Sequence, residues 1–332
     1  MSKLKVGLVG AGYLGRIHAK ILSNQEITWS GIYDADPRRS AQVAEEFGGK
    51  AADSLGALIS ESDALVVAAA TTAHHAIGKR ALSAGRHVFL EKPMTVTPEE
   101  GRELVDLARA KKLVLQVGHV ERFNRAFRAL GNGHPRPKFI EAHRLTQFRP
   151  RGTDVAVVLD LMIHDLDLIL ALMGEYPSGV EAAGVAVISE GVDIANARLT
   201  FPSGGVANVT ASRISANPMR KLRMFAEDSY IALDFAAGSA QVFRLARVGE
   251  EHIPGTTSLG EIEKAAVKRH ILFAQPSAPE GNAIEMEQQA FFRAITEGTP
   301  PPVTGEDGLR ALQLATEILE KMGTTEVATG RE

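Results

Sequence analysis

Residues 5–15 read KVGLVGAGYLG, in which a short apolar run leads into glycines at positions 10, 12 and 15. Such a run is typical of a parallel strand that is buried on both faces. Residues 13–23 carry Leu14, Ile17 and Ile21 at helical spacing. The glycines therefore lie at a turn from a strand into a helix, which is the setting that the G-x-G-x-x-G pattern requires.

This turn predicts a dinucleotide-binding site. Gly10 permits a tight turn, Gly12 lets a pyrophosphate approach the backbone, and Gly15 lets the helix pack closely on the strand. The first N–H groups of the helix would then hold the phosphates. The predicted cofactor-binding segment is Gly10, Ala11, Gly12, Tyr13, Leu14 and Gly15.

Asp34 ends the next predicted strand, residues 27–34. An acid about 20 residues after the glycines can accept hydrogen bonds from the adenosine ribose, and it disfavours a 2′-phosphate. NAD is therefore the expected cofactor, with NADP as the alternative because Arg38 and Arg39 could reach a 2′-phosphate or could simply be solvated. A plainer reading is that the glycines only make a turn and that Asp34 only caps the next helix.

Strands and helices continue to alternate as far as residue 120. We expect strands at 63–70, 86–94 and 113–119, and helices at 74–85 and 97–112. This alternation predicts an α/β fold with a doubly wound parallel sheet, the Rossmann class, over residues 1–120. Because ligands bind at the carboxyl ends of such strands, the further cofactor-binding candidates are Thr71, His74, Glu91 and Lys92.

The composition is that of a globular protein. With 332 residues, 45% hydrophobic and 23% charged, the chain is long enough for about two domains. A net charge of -3 gives no sign of nucleic-acid binding, and neither a signal peptide nor a membrane span is expected. The chain has no cysteine, which excludes disulfides and thiolate chemistry and suits a cytoplasmic location.

From residue 138 onward the pattern changes to strands joined by hairpin turns. Strands are expected within 138–148, 183–191, 195–204, 206–215, 221–235 and 240–249. We therefore expect residues 121–332 to form an α+β domain with a large, mostly antiparallel open sheet. Amphipathic helices are expected at 284–298 and 306–322, whereas residues 250–283 show no clear pattern.

Residues 159–174, LDLMIHDLDLILALMG, have helical spacing but carry three acids and a histidine. Asp160, His164 and Asp167 recur at i, i+4 and i+7, so we expect them to share one face that looks into a crevice. Asp165 and Asp167 are expected to be structural, with Asp167 bound to backbone or to Arg122. As alternatives, Asp160 and His164 could bond only each other, or could ligate zinc. No further ligand cluster is evident, so no metal is expected.

Four segments in order resemble the Gfo/Idh/MocA oxidoreductases: VGLVGAGYLGRIHA, TTAHHAIGKRALSAGRHVFLEKPM, QVGHVERFN and LDLMIHDLDLILALMG. The resemblance covers nearly the whole chain. It implies a Rossmann domain followed by a domain with an open sheet, and NAD(P)-linked oxidation or reduction of sugars and related polyols. It also implies a homodimer or homotetramer through that sheet. Ala70 departs from the family, which often has proline there, so the local backbone is less predictable.

The resemblance also assigns chemical roles. Lys92, in the E-K-P motif, would contact the reacting hydroxyl, since its ammonium can donate to the alcohol oxygen and to the developing carbonyl. Asp160 and His164 match the family's D-x-x-x-H motif. Imidazole, with an unperturbed pKa of about 6.5, is a suitable base at neutral pH. We expect His164 to be the general base or its relay, Asp160 to orient it or bind a hydroxyl, and Lys92 to be the electrophilic partner. The alternative for Lys92 is a surface lysine paired with Glu91.

Three arginines, Arg144, Arg149 and Arg151, lie just before this helix and suit a diphosphate. Residues 119–124 (HVERFN) and 148–168 (FRPRGTDVAVVLDLMIHDLDL) resemble the part of the family that acts on UDP-N-acetylglucosamine. Together with the arginines, this resemblance favours that nucleotide sugar, oxidised at C3, as the substrate. Arg122 is either a further substrate contact or part of an ion pair. The alternatives are an inositol or free-sugar dehydrogenase, an NAD-dependent redox glycosidase, a non-catalytic NAD-binding regulator, and, for the arginines, a surface loop that makes salt bridges.

Overall fold

The computed structural model of the chain describes residues 3–131, 133–148, 155–246, 254–264 and 267–323. The chain packs as two compact units: one holds the residues up to Val120 together with Ile284–Thr316, and the other holds Glu121–Ala283 and the end of the last helix. Residues 121–332 were expected to form one domain. Ile284–Thr316 belongs instead with the first unit, because Phe291 and Phe292 join its hydrophobic core.

The described residues form strands and α-helices, and each kind is numbered in chain order. The strands are β1 (Lys5–Val9), β2 (Thr28–Tyr33), β3 (Ala64–Val67), β4 (His87–Glu91), β5 (Leu115–Gly118), β6 (Phe139–Leu145), β7 (Gly179–Val185), β8 (Ile194–Thr200), β9 (Val206–Ser212), β10 (Met219–Phe225), β11 (Ser229–Asp234), β12 (Ser239–Leu245), β13 (Thr257–Lys264) and β14 (Val267–Ala274). The α-helices are α1 (Tyr13–Leu22), α2 (Pro37–Phe47), α3 (Leu55–Glu61), α4 (Thr71–Ser83), α5 (Pro98–Lys111), α6 (Arg125–Arg128), α7 (Ile163–Met173), α8 (Ala283–Glu297) and α9 (Gly305–Lys321). None of the described helices has both the length and the apolarity of a membrane span.

The first unit is built on the predicted parallel sheet. Its strand order is β2-β1-β3-β4-β5, and each neighbouring pair runs parallel. The chain moves outward from β1 to β2 and then returns to the other side of β1 with β3. Ligands bind such sheets where the strand order reverses, which here is at the carboxyl ends of β1 and β3. The glycine turn after β1 lies at that point.

The second unit is built on a nine-stranded sheet with the order β13-β14-β12-β11-β10-β6-β9-β8-β7. Among its described strands, β6 and β9 pair in parallel and the others pair antiparallel, so the predicted fold class is confirmed. Along β6 the side chains alternate between buried and half-exposed. Helix α7 packs against β6 and β9 and covers one face of the sheet.

Two parts of this sheet differ from the sequence-based expectation. The strand expected at 183–191 is instead Gly179–Val185. The buried carboxylate of Asp193 accepts the backbone N–H groups of Val187, Ile188 and Ser189 at 2.6–3.0 Å, so these donors close a turn instead of joining a strand ladder. The hairpin of β13 and β14 lies in the part of the chain that showed no clear pattern.

Two arginine–carboxylate pairs anchor α7 inside the second unit. Arg144 on β6 donates from Nε and Nη2 to the two oxygens of Asp165, both at 2.9 Å, and from Nη1 to Glu121 at 2.7 Å. Arg122 donates from Nε and Nη2 to Asp167 at 2.6 and 2.8 Å. Both aspartates are 1% exposed, so the structural roles expected for Asp165 and Asp167 are confirmed.

Burial and the opposite charges shift the pKa values of this anchor in opposite directions. It raises the pKa of Asp165, and the guanidinium of Arg144 opposes that shift. For Arg144, burial alone would lower the pKa, but the carboxylates of Asp165 and Glu121 outweigh it and raise the pKa above its usual value. The arginine therefore stays charged, and the pair depends on both partners, because a lone buried charge is far more costly than the pair.

The substitution Arg144→Met should destabilise the second unit. Methionine keeps an unbranched apolar chain but leaves Asp165 buried without its guanidinium, which costs about 3–5 kcal/mol of unfolding free energy. Urea unfolding followed by circular dichroism measures this loss.

The matched control is Arg223→Met on β10. Arg223 pairs with Glu141 on β6, with 44% and 30% of these side chains exposed, and such pairs contribute about 0–1 kcal/mol. Similar losses in both variants would show that Arg144 is not a buried anchor.

Candidate active site

The glycine turn has the geometry that a dinucleotide requires. Gly10 has a φ of +100°, and a Cβ there would lie 2.5 Å from the carbonyl oxygen of Ala68. A Cβ on Gly15 would overlap the carbonyl oxygen of Gly10, whereas one on Gly12 would meet nothing within 4 Å. Gly10 and Gly15 thus serve the tight turn and the close packing that were predicted. The space at Gly12 fits a pyrophosphate.

The start of α1 offers backbone donors beside this space. Gly12 is the N-cap, and within the described residues no side chain caps the helix. Tyr13 is 84% exposed and Leu14 is half-exposed. The free N–H groups and the positive end of the helix dipole favour a phosphate at this position.

Asp34 connects the end of β2 to the glycine turn. Its Oδ2 accepts the N–H of Ala11 at 2.6 Å and its Oδ1 accepts the N–H of Asp36 at 2.9 Å. A carboxylate has about four acceptor positions, so this half-exposed group can also accept from a ribose hydroxyl. Nearby, Arg38 donates to Asp36 from Nε and an Nη at 3.1 and 3.2 Å. That hydrogen bond lowers the pKa of Asp36.

The turn after β3 keeps the shape that proline would give it. Ala70 has a φ of -63° and a ψ of 141°, which is the conformation that proline imposes. Ala70 therefore has the φ that a proline would impose, although no proline is present. Helix α4 begins at Thr71, three residues earlier than expected.

His74 supports this region from inside. Its ring is 1% exposed, with Nδ1 3.1 Å from the carbonyl oxygen of Pro93 and Nε2 3.0 Å from that of Ala69. Burial lowers the pKa of His74. The ring thus joins the start of α4 to the segment after Lys92. Its predicted contact with the cofactor is not favoured by this position, because both nitrogens face the protein.

Lys92 directly follows β4 and is half-exposed, whereas Glu91 before it is 7% exposed. The carboxylate of Glu91 turns inward: Oε1 lies 2.7 Å from Nε2 of His18, and Oε2 accepts the backbone N–H of Lys92 at 3.3 Å. A Cβ on Gly118 would lie 2.8 Å from Oε2. Glu91 therefore holds the backbone of Lys92 from inside the protein. A contact between Glu91 and a cofactor stays a prediction.

In the second unit, Asp160 and His164 open away from the buried side of their helix. Asp160 lies in a π-helical turn, Val158–Met162, and His164 lies in the first turn of α7. Asp160 and His164 are half-exposed, as is Leu161, whereas Leu159, Met162 and Ile163 are buried. Turns of this type are frequent at functional sites. These two side chains can therefore reach a ligand.

Asp167 does not share that face. The expectation that Asp160, His164 and Asp167 line one crevice is wrong for Asp167, because its buried carboxylate takes Arg122 as its partner. Arg122 is 14% exposed at its side chain, and of its two predicted roles the ion pair is the one observed.

The predicted diphosphate site loses one of its three arginines. Arg144 is 4% exposed and bound to Asp165 and Glu121, so its prediction as a phosphate contact is wrong. Arg149 and Arg151 lie outside the described residues. Within the described chain, no group of three or more acidic or histidine side chains could hold a metal ion.

Two side chains behind Glu91, His18 and Gln288, carry no local sequence signal. They lie 270 positions apart, and Nε2 of Gln288 is 2.7 Å from Nδ1 of His18. The only clue in the sequence is a histidine inside the predicted helix that follows the glycine turn, and helical spacing alone does not say what it meets.

Two family models match the chain. One, described as an oxidoreductase family with an NAD-binding Rossmann fold, matches residues 4–119. The other, described as a GFO/IDH/MocA C-terminal domain, matches residues 118–232.

Relatives of known activity cover nearly the whole chain. The UDP-N-acetylglucosamine 3-dehydrogenase of Acidithiobacillus ferrooxidans is 35% identical over 320 residues, which are 96% of this chain and 97% of that protein. A solved structure of UDP-N-acetylglucosamine 3-dehydrogenase GnnA from Acidithiobacillus ferrooxidans has a TM-score of 0.85 at 33% identity, and covers 97% of this chain and 98% of that one. The myo-inositol 2-dehydrogenase of Thermotoga maritima is 26% identical over 330 residues, 94% of each protein. The chain therefore belongs to the Gfo/Idh/MocA family of NAD-binding oxidoreductases.

Proposed function

We propose that the protein oxidises UDP-N-acetylglucosamine, or a close relative, to its 3-keto form with NAD as the oxidant. The observation that carries this proposal is the similarity to UDP-N-acetylglucosamine 3-dehydrogenase, 35% identity over 96% of the chain. Lys92, Asp160 and His164 accompany it at the positions of the E-K-P and D-x-x-x-H motifs.

Oxidation of a secondary alcohol requires that a hydride leave carbon and a proton leave oxygen. NAD, when bound, supplies the hydride acceptor. The glycine turn and Asp34 would hold it through the pyrophosphate and the ribose. The ammonium of Lys92 donates to the reacting oxygen and stabilises the negative charge that develops there. His164 receives the proton, and Asp160 binds a sugar hydroxyl or orients the imidazole.

The choice of NAD over NADP rests on charge. Asp34 is held in place by two backbone N–H groups, so its carboxylate cannot turn aside for a 2′-phosphate without breaking them. Asp36 adds a second carboxylate and engages Arg38, which draws that arginine away from a phosphate. Both features favour the ribose hydroxyl of NAD.

An inositol or free-sugar dehydrogenase is the second candidate. The burial of Arg144 favours it, because one of the three arginines assigned to a diphosphate is occupied inside the protein. The similarity to myo-inositol 2-dehydrogenase, 26% identity over 94% of the chain, supports it too. A homodimer or homotetramer through the open face of the nine-stranded sheet, and a cytoplasmic location, stay predictions in either case.

We expect NAD to bind more tightly than NADP. In Asp34→Ala, the Kd for NADP divided by the Kd for NAD should fall by about tenfold, or roughly 1.4 kcal/mol. The substitution removes the charge that repels a 2′-phosphate. It also removes two hydrogen bonds to the turn, so the ratio, and not the NAD affinity alone, is the quantity to measure by fluorescence titration. A wild-type protein that prefers NADP tenfold would refute this role of Asp34.

Lys92→Ala and His164→Ala should each lower kcat by about a hundredfold or more. Each removes a group that acts on the reacting oxygen. His164 is not a predicted NAD contact and Lys92 is only one of many, so the Kd for NAD should change little in either variant. Lys79→Ala and His75→Ala, both on the surface of α4, are the matched controls. Normal turnover in both active-site variants would place the chemistry elsewhere.

The substrate is tested by incubating the protein and NAD with UDP-N-acetylglucosamine, myo-inositol or glucose while NADH is followed. We expect NADH from the nucleotide sugar, and a product that glutamate and an aminotransferase convert to the amino sugar. Rapid turnover of inositol or glucose, with neither turnover nor a Tm shift from UDP-sugars, would replace the proposed substrate by the second candidate.

A further inference from the structure

A buried row of hydrogen bonds runs from β4 to the far side of α1. It joins Glu91 at the end of β4, His18 on α1, Gln288 on α8 and Gln25 after α1, with contacts of 2.7, 2.7 and 2.6 Å. His18 and Gln288 are 0% exposed. Neither side chain is in contact with bulk solvent, and the hydrogen bonds described here are made to protein groups.

The direction of each hydrogen bond follows from the outer end of the row. Nε2 of Gln25 donates to Oε1 of Gln288, which leaves the amide N–H of Gln288 to face Nδ1 of His18. Nδ1 can accept this hydrogen bond only when it carries no proton. The single ring proton then lies on Nε2, which donates to Oε1 of Glu91. The amide of Gln288 thereby selects the form of His18 that carries its ring proton on Nε2, toward Glu91.

Both oxygens of Glu91 are then committed. Oε1 accepts from His18, and Oε2 accepts the backbone N–H of Lys92 at 3.3 Å. The ring of Phe89 packs edge-on against the rings of His18 and Phe291, with distances between ring centroids of 5.6 and 5.9 Å. In such apolar surroundings a hydrogen bond is stronger than in water, and a misplaced polar group is more costly.

We propose that His18 and Gln288 are positioning residues for Lys92. Gln288 fixes the tautomer of His18, His18 fixes the carboxylate of Glu91, and Glu91 holds the backbone from which Lys92 projects. This inference rests on the proposed function for the role of Lys92, but the tautomer of His18 does not depend on any substrate. Neither residue touches the substrate or moves a proton to it.

The tautomer is measured directly by nitrogen-15 NMR of the histidine rings in the intact protein, with His18 assigned from the spectrum of His18→Gln. We expect a neutral ring with its proton on Nε2 at neutral pH. In Gln288→Leu, which keeps the size but removes the amide, Nδ1 no longer faces a donor, so the fraction of rings that carry a proton on Nδ1 should rise. A proton on Nδ1 in the wild-type protein, whether neutral or cationic, would overturn the proposal.

Kinetics test the consequence for Lys92. His18→Leu should lower kcat by about tenfold or more, with the Kd for NAD changed less than about threefold. His18→Gln, whose amide can still donate to Glu91, should recover most of kcat, and His75→Leu on the surface of α4 should leave kcat unchanged. Loss of kcat without recovery in His18→Gln, or full kcat in His18→Leu, would overturn the positioning role.

The two readouts separate this inference from the proposed function. If none of the tested sugars is oxidised by the wild-type protein, the proposed function fails, while the NMR measurement still decides whether Gln288 sets the tautomer of His18. If the sugar is oxidised and the tautomer is wrong, the proposed function stands and this inference falls.

Discussion

The contact of Gly15 with the carbonyl oxygen of Gly10 is the constraint on which the first unit depends. No side chain other than hydrogen fits there, so α1 lies directly on the end of β1. This closeness brings the helix N-terminus to the opening at Gly12, and it brings His18, one turn later, against Glu91 at the end of β4. A larger residue at 15 would push the helix away from both. The helix end that is predicted to bind a phosphate and the proposed support of Lys92 therefore share one steric cause.

The second unit solves a different problem, which is how to bury a helix rich in acids. Asp165 and Asp167 each receive an arginine fork from within the same unit. With those two charges neutralised, Asp160 and His164 are the polar groups of the motif that stay accessible. The same short segment thus contains both the anchors that fix its position and the groups that can act on a ligand. One of these groups, Asp160, lies in the π-helical turn.

Much of the fold could be predicted from the sequence, because period and punctuation are local signals. The parallel sheet, the helix expected at 97–112 and the last two helices were all predicted from such signals, and the structure contains them. Most long-range polar pairs were not predictable, although the pair of Arg122 with Asp167 was among the expected alternatives. Arg144 was assigned to a phosphate because its partners come from other elements, and Gln288 gave no signal at all. Asp193 shows a second limit, which is local: three backbone N–H groups four to six residues earlier converge on its carboxylate and close a turn where the alternating pattern predicted a strand.

Helix α8 has a consequence for the synthesis of the chain. It supplies Phe291 and Phe292 to the core of the first unit, although most of the second unit separates it from β5 along the sequence. A nascent chain that has released only its first 120 residues from the ribosome therefore lacks part of its own core, and the space filled by those rings stays open to water. Contacts of such high sequence separation slow folding, and exposed apolar surface favours association with chaperones or with other chains. The nucleotide-binding unit can reach its final packing only after nearly the whole protein has been made.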